Sequence, residues 1–488
     1  MLNEIKYTTL FLFFIHGTIG KKNVLFLAAD DMRPNLGAYN KANKDLFNYP
    51  PMHTPNLDAL ADKSLLFLNA FAQQALCSPS RTSLLTGRRP DTTRITKIGP
   101  YWRDMGGNFT TIPQFFKEHG YRTLGGGKIF HGGSASKNDD IEFSWTDPYH
   151  HAKDPYPDDK SVIWKAINAD DSKDNPLMDT QEADYIIQKL REVAPMAMYN
   201  DTPFFVAFGV HKPHMPFFFP EEYLQFYPEK DVHMPYNPHC PVDMPGIGWN
   251  RPTILKYNDC RPEAMGISDL SKMNVTWPNW KIKEIRRAYY SAISFVDYEI
   301  GRVLNEVKKL GLENDTIIVF WGDHGWQLGE HAAWAKQTVF DIANRVPFMI
   351  KVPGITENGV QTNKLVELVD IFPTLVEAAG FDSLEVCPKS SHGIELCTEG
   401  SSLMPLFEDP DRNDWKDAVF WQYPRGIMTK DNIPTKMGYS IRTKGYRYTE
   451  WVNIKFLGGL EYEPDWENPA DHEELYDLEI DPQENFNK

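Results

Sequence analysis

Residues 24–31 read VLFLAADD, six apolar residues followed by two aspartates. The apolar run is too uniform to alternate between a core face and a solvent face, so it predicts a strand buried on both faces. Residues 316–324, TIIVFWGDH, repeat the arrangement. If both strands belong to one parallel sheet, the acidic residues that follow them lie at the same edge of that sheet.

Two more short apolar runs predict buried strands, at residues 204–208 (FFVAF) and 346–352 (VPFMIKV). Amphipathic helical patterns lie between the strands, at residues 54–66, 112–119, 180–193, 281–310 and 364–379. Strands that alternate with helices predict an α/β fold, with a mostly parallel central sheet flanked by helices in three layers. Ligands bind to such sheets beyond the carboxyl ends of the strands.

The chain changes character after about residue 405. The acidic, proline-containing stretch 407–415 (FEDPDRNDW) predicts a linker, and short β-like runs follow it at residues 419–423, 438–443 and 446–452. We therefore expect a large domain at residues 21–408 and a smaller C-terminal α+β subdomain at residues 409–488.

The composition is that of a globular protein. Of 488 residues, 41% are hydrophobic, 13% aromatic and 24% charged, which excludes a fully disordered, collagen-like or coiled-coil chain. The 51 basic and 67 acidic residues give a net charge of −16, and no cluster of Lys and Arg stands out. This balance argues against a nucleic-acid partner, and the cations that an anionic substrate requires must be confined to a pocket.

The N-terminus predicts export. Residues 8–15 (TTLFLFFI) are too short to span a bilayer, and small residues follow at Thr18 and Gly20. We therefore predict a signal peptide at residues 1–20, and no membrane association after its removal. Four N-glycosylation motifs also favour the secretory pathway, beginning at Asn108, Asn200, Asn274 and Asn314.

The chain has five cysteines, an odd number that requires explanation in an exported protein. Their spacing favours the disulfides Cys387–Cys397 and Cys240–Cys260, although four cysteines allow two other connectivities. Cys77 is then left without a partner.

The acidic residues after the two strands are Asp30, Asp31 and Asp323, and His324 follows the last of them. Each pair taken alone is typical of a helix cap or a loop. Carboxylates that converge at one sheet edge repel one another unless a cation lies between them, and an all-oxygen set favours Ca²⁺ or Mg²⁺. His324 complicates this prediction, because imidazole prefers softer metals.

Residues 77–88 read CSPSRTSLLTGR. A cysteine at a helix start beside a basic residue has a lowered pKa, although a lone cysteine is more often a buried structural residue. The segment resembles the sulfatase signature C-x-P-S-R-x-x-x-L-T-G, with every fixed position present. Further similarity to sulfatases, and within them to those that act on 2-sulfated iduronate, covers residues 70–94, 107–121, 127–131, 211–217, 323–336, 365–375 and 437–452.

This resemblance implies an alkaline-phosphatase-like α/β fold. It also implies that a formylglycine-generating enzyme oxidises Cys77 to formylglycine during export, and that the hydrate of this aldehyde is the nucleophile. Arg81 would hold the hydrate. The residues that the resemblance places around one Ca²⁺ are Asp30, Asp31, Asp323, His324 and residue 77.

Four further residues match the family motifs. Lys128 would bind sulfate and residue 77, and His131 would accept a proton when sulfate leaves. His214 and Lys336 would bracket the bridging ester oxygen, and one of them would protonate the leaving alcohol. His211 is expected to brace the loop instead.

The resemblance implies an exo-acting sulfatase that removes the 2-sulfate of terminal iduronate in heparan and dermatan sulfate, delivered to lysosomes or secreted. The alternatives are a sulfatase of another specificity, a formylglycine-dependent phosphodiesterase or phosphonate hydrolase, and a non-catalytic, secreted glycosaminoglycan-binding protein. Arg33 and Trp326 lie where they could bind the iduronate carboxylate and wall the pocket. The alternative is that Arg33 pairs with a local acid and Trp326 belongs to the core.

Overall fold

The computed structural model describes residues 21–44, 46–267, 272–428, 433–458, 461–468 and 472–488, so the predicted signal peptide at residues 1–20 lies outside the described residues. The strands are β1 Asn23–Ala29, β2 Leu65–Phe71, β3 Arg122–Gly127, β4 Trp164–Ile167, β5 Phe204–Val210, β6 Phe217–Pro220, β7 Thr316–Gly322, β8 Gln327–Leu328, β9 Trp334–Ala335, β10 Arg345–Val346, β11 Phe348–Lys351, β12 Val360–Glu367, β13 Ala418–Met428, β14 Pro434–Thr443, β15 Tyr446–Gly458, β16 Glu461–Pro464 and β17 His472–Asp477.

The α-helices are α1 Asn40–Asn43, α2 Pro55–Ala61, α3 Cys77–Thr86, α4 Pro90–Thr93, α5 Trp102–Met105, α6 Ile112–Glu118, α7 Ile141–Ser144, α8 Ala169–Asp174, α9 Met178–Tyr199, α10 Pro262–Met265, α11 Asn279–Lys309, α12 Asp341–Asn344, α13 Ile371–Ala378 and α14 Met404–Glu408.

The central sheet has eight strands. One path runs β10–β2–β11–β7–β1–β5–β3, and β12 pairs with β2 outside that path. Strand β1 is parallel to both β5 and β7, and β3 is parallel to β5. Strands β10 and β11 are antiparallel to their neighbours, and β12 is parallel to β2. Six strands therefore point the same way, which confirms the mostly parallel sheet.

Helices cover both faces of this sheet, as the apolar strand at residues 24–29 predicted. Leu25 and Leu27 belong to one core cluster, which includes the apolar sides of α9 and α11. Val24 and Phe26 belong to a second cluster, which includes α3, α6 and α13. Successive side chains of a strand point to opposite faces, so both faces of β1 are buried against helices.

The predicted bounds of two helices were wrong. The pattern at 54–66 includes the start of strand β2, and α2 ends at Ala61. The pattern at 364–379 includes the end of strand β12, and α13 begins at Ile371. Short apolar runs fit helix and strand equally well, and pairing within the sheet decided both cases.

Residues from Ala418 onward form a separate sheet of five antiparallel strands, in the order β13–β14–β15–β16 with β17 beside β15. No helix follows Glu408 in the part of the chain that the structure describes, so this C-terminal subdomain is a sheet without the helical component we expected. It packs on the central sheet through Val419, Trp421, Tyr423 and Trp451, which contact Phe71 and nearby apolar residues.

The structure contains one of the two predicted disulfides and not the other. Cys387 and Cys397 form a disulfide, whereas Cys240 and Cys260 are free thiols, so their predicted pairing was wrong. Cys260 is buried in the core cluster beneath α11. Cys240 lies on a partly exposed loop, and its Sγ contacts the carbonyl oxygen of His331 at 3.3 Å. Folding places the two thiols in different surroundings, which their spacing along the chain did not reveal.

All four predicted glycosylated residues, Asn108, Asn200, Asn274 and Asn314, are exposed. Their modification stays a prediction. Among the described helices, none is both long and apolar enough to cross a membrane.

Candidate active site

The carboxyl ends of five parallel strands meet at one edge of the central sheet. The polar residues that follow them are Asp30 and Asp31 after β1, Cys77 after β2, Lys128 after β3, His214 after β5, and Asp323 and His324 after β7. The site therefore lies where the sequence placed it, beyond the strand ends.

Cys77 is the first residue of helix α3 and is 2% exposed. Its Sγ lies 2.9 Å from Nζ of Lys336 and 3.6 Å from Nζ of Lys128. The unpaired N–H groups and the dipole of a helix N-terminus favour an anion at this position. The thiol is thus surrounded by groups that bind negative charge.

The predicted metal ligands converge on the same point. Ligand atoms of Asp30, Cys77, Asp323 and His324 all lie within 4.8 Å of one another. Asp31 approaches from the other side, with Oδ1 3.9 Å from Sγ of Cys77. Oδ2 of Asp31 is buried and has no hydrogen-bond partner among the described residues. A divalent cation would satisfy such a set of carboxylates.

The backbone of Asp31 is held in a left-handed conformation, with φ at 61°. This conformation is unfavourable for a residue with a side chain and persists where its surroundings enforce it. The hydroxyl of Tyr289, on α11, donates to the carbonyl oxygen of Asp31 at 2.7 Å and accepts from the N–H of Arg33 at 3.1 Å. Sequence reasoning missed Tyr289, because nothing in an amphipathic helix distinguishes it from a core residue.

Arg81 lies one turn along α3 from Cys77 and connects the site to the backbone after β3. Its guanidinium donates to Oδ2 of Asp323 at 2.9 Å and to the carbonyl oxygen of Ile129 at 3.0 Å. Gly127, the last residue of β3, lies very close to the backbone of β5. A Cβ atom on it would lie 2.0 Å from the carbonyl oxygen of Gly209. The positive φ of Gly127 and this close approach both require glycine, and they place Lys128 over Cys77.

The charges of the site act on one another strongly. Burial raises the pKa of Asp31 to about 7, and the Lys336 ammonium opposes this effect. Burial opposes the charge of Lys336, but Asp31 and Cys77 raise its pKa well above the usual value. Burial and Asp30 raise the pKa of the Cys77 thiol, but the ammonium groups of Lys128 and Lys336 outweigh them and lower it overall.

The surroundings disfavour the charged form of the two predicted proton-transfer histidines. Burial lowers the pKa of His131 to about 4, with a further contribution from Lys128, and burial lowers the pKa of His214 well below its usual range. Nε2 of His214 lies 3.8 Å from Oδ2 of Asp31. His211 instead pairs with Asp179, at 3.3 Å from its Nδ1, which matches the expected role of bracing the loop.

The two residues predicted to recognise the sugar are not available to do so. Arg33 is fully buried, and its guanidinium pairs with Oε1 of Glu330 at 2.9 Å. Trp326 is 1% exposed and packs on the ring of Phe217. The prediction of substrate binding was wrong for both, because Arg33 pairs with Glu330 within the core and the ring of Trp326 is buried. The alternative interpretation, a local ion pair and a core residue, is what the structure contains.

The C-terminal sheet contributes residues to the site that the sequence did not suggest. Tyr423 on β13 is 6% exposed, and burial raises the pKa of its hydroxyl to about 12, with smaller effects from Arg425, Lys336 and Cys77. The side of β13 that faces the central sheet thus reaches the catalytic groups. This strand lies more than 340 positions after Cys77, and nothing in its sequence predicts that it lies close to the site.

Comparison with known proteins agrees with this geometry. The sulfatase family model matches residues 22–381, and the model for the C-terminal region of N-sulphoglucosamine sulphohydrolase matches residues 329–488. Iduronate 2-sulfatase from mouse is 37% identical over 525 residues, covering 95% of this chain and 90% of the mouse protein. The human protein of the same name is 37% identical over 532 residues, covering 97% of this chain and 92% of its own length.

A solved structure of a protein bound to its substrate D-glucosamine-2-N,6-O-disulfate has the same fold, with a TM-score of 0.68 and 20% identity over 96% of this chain and 93% of that one. The family model spans well over half of the chain, and the relatives from mouse and human match nearly all of it. The chain therefore belongs to the sulfatase family of sulfuric ester hydrolases.

Proposed function

We propose that this sulfatase removes the 2-sulfate from a terminal iduronate of heparan and dermatan sulfate. The observation that supports this specificity is the 37% identity to iduronate 2-sulfatase over 95% of the chain. The proposed partner is accordingly a sulfated glycosaminoglycan or an oligosaccharide derived from it. Because the chain as a whole is acidic, an anionic substrate requires a local cluster of cations. Lys128, Lys336 and Arg81 form such a cluster around Cys77.

Position 77 fits a formylglycine formed from cysteine by a formylglycine-generating enzyme. The hydrate of formylglycine supplies a hydroxyl for attack on sulfur and, by return to the aldehyde, a means of releasing sulfate. Sγ of Cys77 marks the position of that reactive group in this structure. The ammonium groups of Lys128 and Lys336, together with the N-terminus of α3, would bind and orient the sulfate oxygens beside it.

The buried carboxylates fit one Ca²⁺, because they converge and because Oδ2 of Asp31 lacks a partner among the described residues. The residues that would hold the ion are Asp30, Asp31, Asp323, His324 and residue 77. A calcium ion bound there supplies positive charge that polarises the sulfate ester. His324 donates no oxygen, so its imidazole is a departure from the all-oxygen set that Ca²⁺ prefers.

The contacts of the remaining residues support separate roles in proton transfer. Lys336 keeps its proton beside Asp31 and lies 2.9 Å from Sγ of Cys77, so its ammonium group can protonate the leaving alcohol. His131 is neutral, and its buried Nδ1 has no hydrogen-bond partner within the described ranges, so it can accept a proton. Arg81 positions residue 77 through Asp323.

We also propose that the protein follows the secretory pathway to the lysosome or the exterior. The Cys387–Cys397 disulfide and the four exposed glycosylation motifs support this route. Conversion of Cys77 to formylglycine would take place on the same route, before folding buries the thiol.

A substrate panel tests the proposal. The full chain, produced in a eukaryotic secretory host with the formylglycine-generating enzyme, is assayed on a fluorogenic iduronide 2-sulfate, a glucosamine 6-sulfate, an aryl sulfate and a phosphonate monoester. We expect the highest kcat/KM on the iduronide, and peptide mass spectrometry is expected to find formylglycine at position 77. Faster turnover of the hexosamine sulfate or the phosphonate would overturn the proposed specificity, and active enzyme with unmodified cysteine would overturn the mechanism.

A further inference from the structure

Arg425 is a cation beside the candidate active site, and the mechanism proposed above gives it no role. It follows Tyr423 by two residues on β13, so the two side chains lie on the same face of the strand. Its guanidinium stacks over the ring of Tyr423 at 4.7 Å and over the ring of Trp451 at 5.4 Å. These two rings fix the plane of the guanidinium at the junction between the C-terminal sheet and the catalytic domain.

The hydrogen bonds of Arg425 hold it in place and leave donors free. Nε donates to the carbonyl oxygen of Ile247 at 3.0 Å, Nη1 to that of Pro424 at 3.1 Å, and Nη2 to that of Gln337 at 2.9 Å. A guanidinium has five N–H groups, so two remain. No carboxylate forms an ion pair with Arg425 in the part of the chain that the structure describes, although the side chain is only partly exposed.

The contact with Gln337 ties Arg425 to the reacting groups. Gln337 directly follows Lys336, whose Nζ lies 2.9 Å from Sγ of Cys77. The backbone of Gln337 has a positive φ of 77°, which turns the chain away from the site at the point where Arg425 meets it. Arg425 is therefore linked through the backbone of Gln337 to the lysine that contacts Cys77, on the side of the C-terminal sheet.

An unpaired, partly buried guanidinium is unfavourable unless a ligand supplies the missing negative charge. Arg33 cannot serve as the cation for a sugar carboxylate, because it is fully buried and already pairs with Glu330 in the core. We infer that Arg425 binds the carboxylate of a uronic acid whose adjacent sulfate is held by Lys128 and Lys336, so that the C-terminal sheet selects acidic sugars. This inference rests on the proposed function, since it requires a uronate substrate.

Lys256 is another cation near the cleft that forms no ion pair among the described residues. It ends the short turn Thr253–Lys256 and is exposed, and its Nζ lies over the ring of Tyr257 at 5.1 Å. A lysine on a flexible, exposed stem is a point charge, whereas a guanidinium clamped by three carbonyl groups can bind a carboxylate bidentately. The geometry favours Arg425 over Lys256.

The test compares Arg425→Met and Lys256→Met with a matched control, Lys455→Met. Lys455 lies on β15 of the same sheet and already pairs with Asp465 at 2.9 Å, so its loss removes one positive charge from that sheet without touching the site. Three substrates are assayed: 4-methylumbelliferyl iduronide 2-sulfate, its carboxyl methyl ester, and 4-nitrophenyl sulfate. The thermal midpoint of each variant is measured in parallel.

We expect Arg425→Met to raise KM for the free-acid iduronide by roughly 10- to 100-fold, the effect of losing one or two charge-assisted hydrogen bonds, while kcat changes little. Turnover of the methyl ester and of 4-nitrophenyl sulfate should be nearly unchanged. Arg425→Lys should recover part of the loss. Lys455→Met should match the unsubstituted enzyme on all three substrates.

Four results would overturn the inference. Equal losses on all three substrates would show that Arg425 only supports the fold, and a loss confined to Lys256→Met would move the carboxylate site to that residue. An unsubstituted enzyme that turns over the acid and its methyl ester equally well would show that no carboxylate is recognised, while leaving the proposed function intact. An enzyme active on 4-nitrophenyl sulfate but inactive on the iduronide would instead overturn the proposed function, and the inference with it.

Discussion

The molecule buries two clusters of charge that have three carboxylates and three cations each but arrange them differently. The catalytic cluster contains the carboxylates of Asp30, Asp31 and Asp323 and the cations of Arg81, Lys128 and Lys336. The docking cluster joins the C-terminal sheet to the catalytic domain and contains the carboxylates of Asp341, Glu474 and Glu484 and the cations of Arg345, Arg442 and Arg447.

In the docking cluster each carboxylate meets a guanidinium. Arg345 forms two hydrogen bonds to Asp341, at 2.6 and 3.0 Å, and Arg447 contacts both Glu474 and Glu484. Trp451 donates to the remaining oxygen of Glu474 at 2.9 Å. Arginine has a planar fork of donors that matches a carboxylate, so such pairs satisfy one another without a ligand.

In the catalytic cluster each carboxylate also meets a cation, but the carboxylates converge on one point. Asp30, Asp323 and His324 crowd around Cys77, and Oδ2 of Asp31 has no hydrogen-bond partner among the residues described. Two of the three cations are lysines, which offer a point charge to a substrate instead of a fixed fork. The comparison teaches that the arrangement of charges, and not their number, distinguishes a reactive site from a structural contact.

The largest expected effect is a loss of turnover, and it belongs to the catalytic cluster. Cys77→Ser should reduce turnover by at least about 1,000-fold, because serine cannot become an aldehyde in the secretory pathway and cannot release sulfate through one. Steady-state kinetics on an aryl sulfate measures the loss. The matched control is Cys240→Ser, the same change at a free thiol outside the site, which should retain activity. Substantial turnover by Cys77→Ser would show that position 77 is not the nucleophile.

The next effect is on stability and belongs to the docking cluster. Arg447→Met leaves Glu474 and Glu484 buried without their cation, so we expect the free energy of unfolding to fall by about 3–5 kcal/mol. Denaturant unfolding measures this, while kcat on an aryl sulfate for the folded fraction should hold. Arg412→Met, at an exposed pair with Asp414, should change stability by less than about 0.5 kcal/mol. Equal effects of the two variants would contradict the structural role of the docking cluster.

Calcium should distinguish the clusters without any activity assay. After chelation, addition of Ca²⁺ at 100 to 1,000 times its Kd is expected to stabilise the protein by about 3–4 kcal/mol, seen as a higher thermal midpoint. Asp31→Asn should abolish most of this gain because it removes a ligand. Asp341→Asn should lower the midpoint equally with and without Ca²⁺. A calcium response that survives Asp31→Asn would place the ion elsewhere.

The smallest effect concerns Glu182, a buried carboxylate that belongs to neither cluster. Burial raises its pKa from 4.5 to about 7, and its Oε2 has no hydrogen-bond partner within the described ranges. A raised pKa in the folded state means that its contribution to stability is complete below pH 4.5 and is lost as the pH rises through 7. The neighbouring titratable groups are Asp179, His150, His151 and Asp139.

Glu182→Gln keeps the shape of the side chain and removes the charge. It should therefore be neutral at pH 4.5 and stabilise the fold by about 1–3 kcal/mol at pH 8. Thermal midpoints across this pH range give the measurement. A variant whose stability follows the same pH curve as the original chain would show that Glu182 stays ionised throughout.

Much of the site could be predicted because local sequence dictates it. The apolar runs before Asp30 and Asp323 favour buried strands, and parallel strands bring the residues at their carboxyl ends together. The segment from Cys77 to Gly87 carries its own helix start and its left-handed glycine end, with φ at 64°. These features depend on residues a few positions apart, and the chain determines them without reference to the rest of the fold.

Other features depend on contacts between residues hundreds of positions apart, and only the tertiary structure decided them. Arg33 lies two residues from the site, yet Glu330 draws its guanidinium into the core. Arg425 lies more than 300 residues from Cys77, yet docking of the C-terminal sheet brings it beside Gln337 and Lys336. A cation binds whichever partner the fold places within reach, and burial sets the strength of that pairing, so proximity along the chain could not tell a structural arginine from a substrate-binding one.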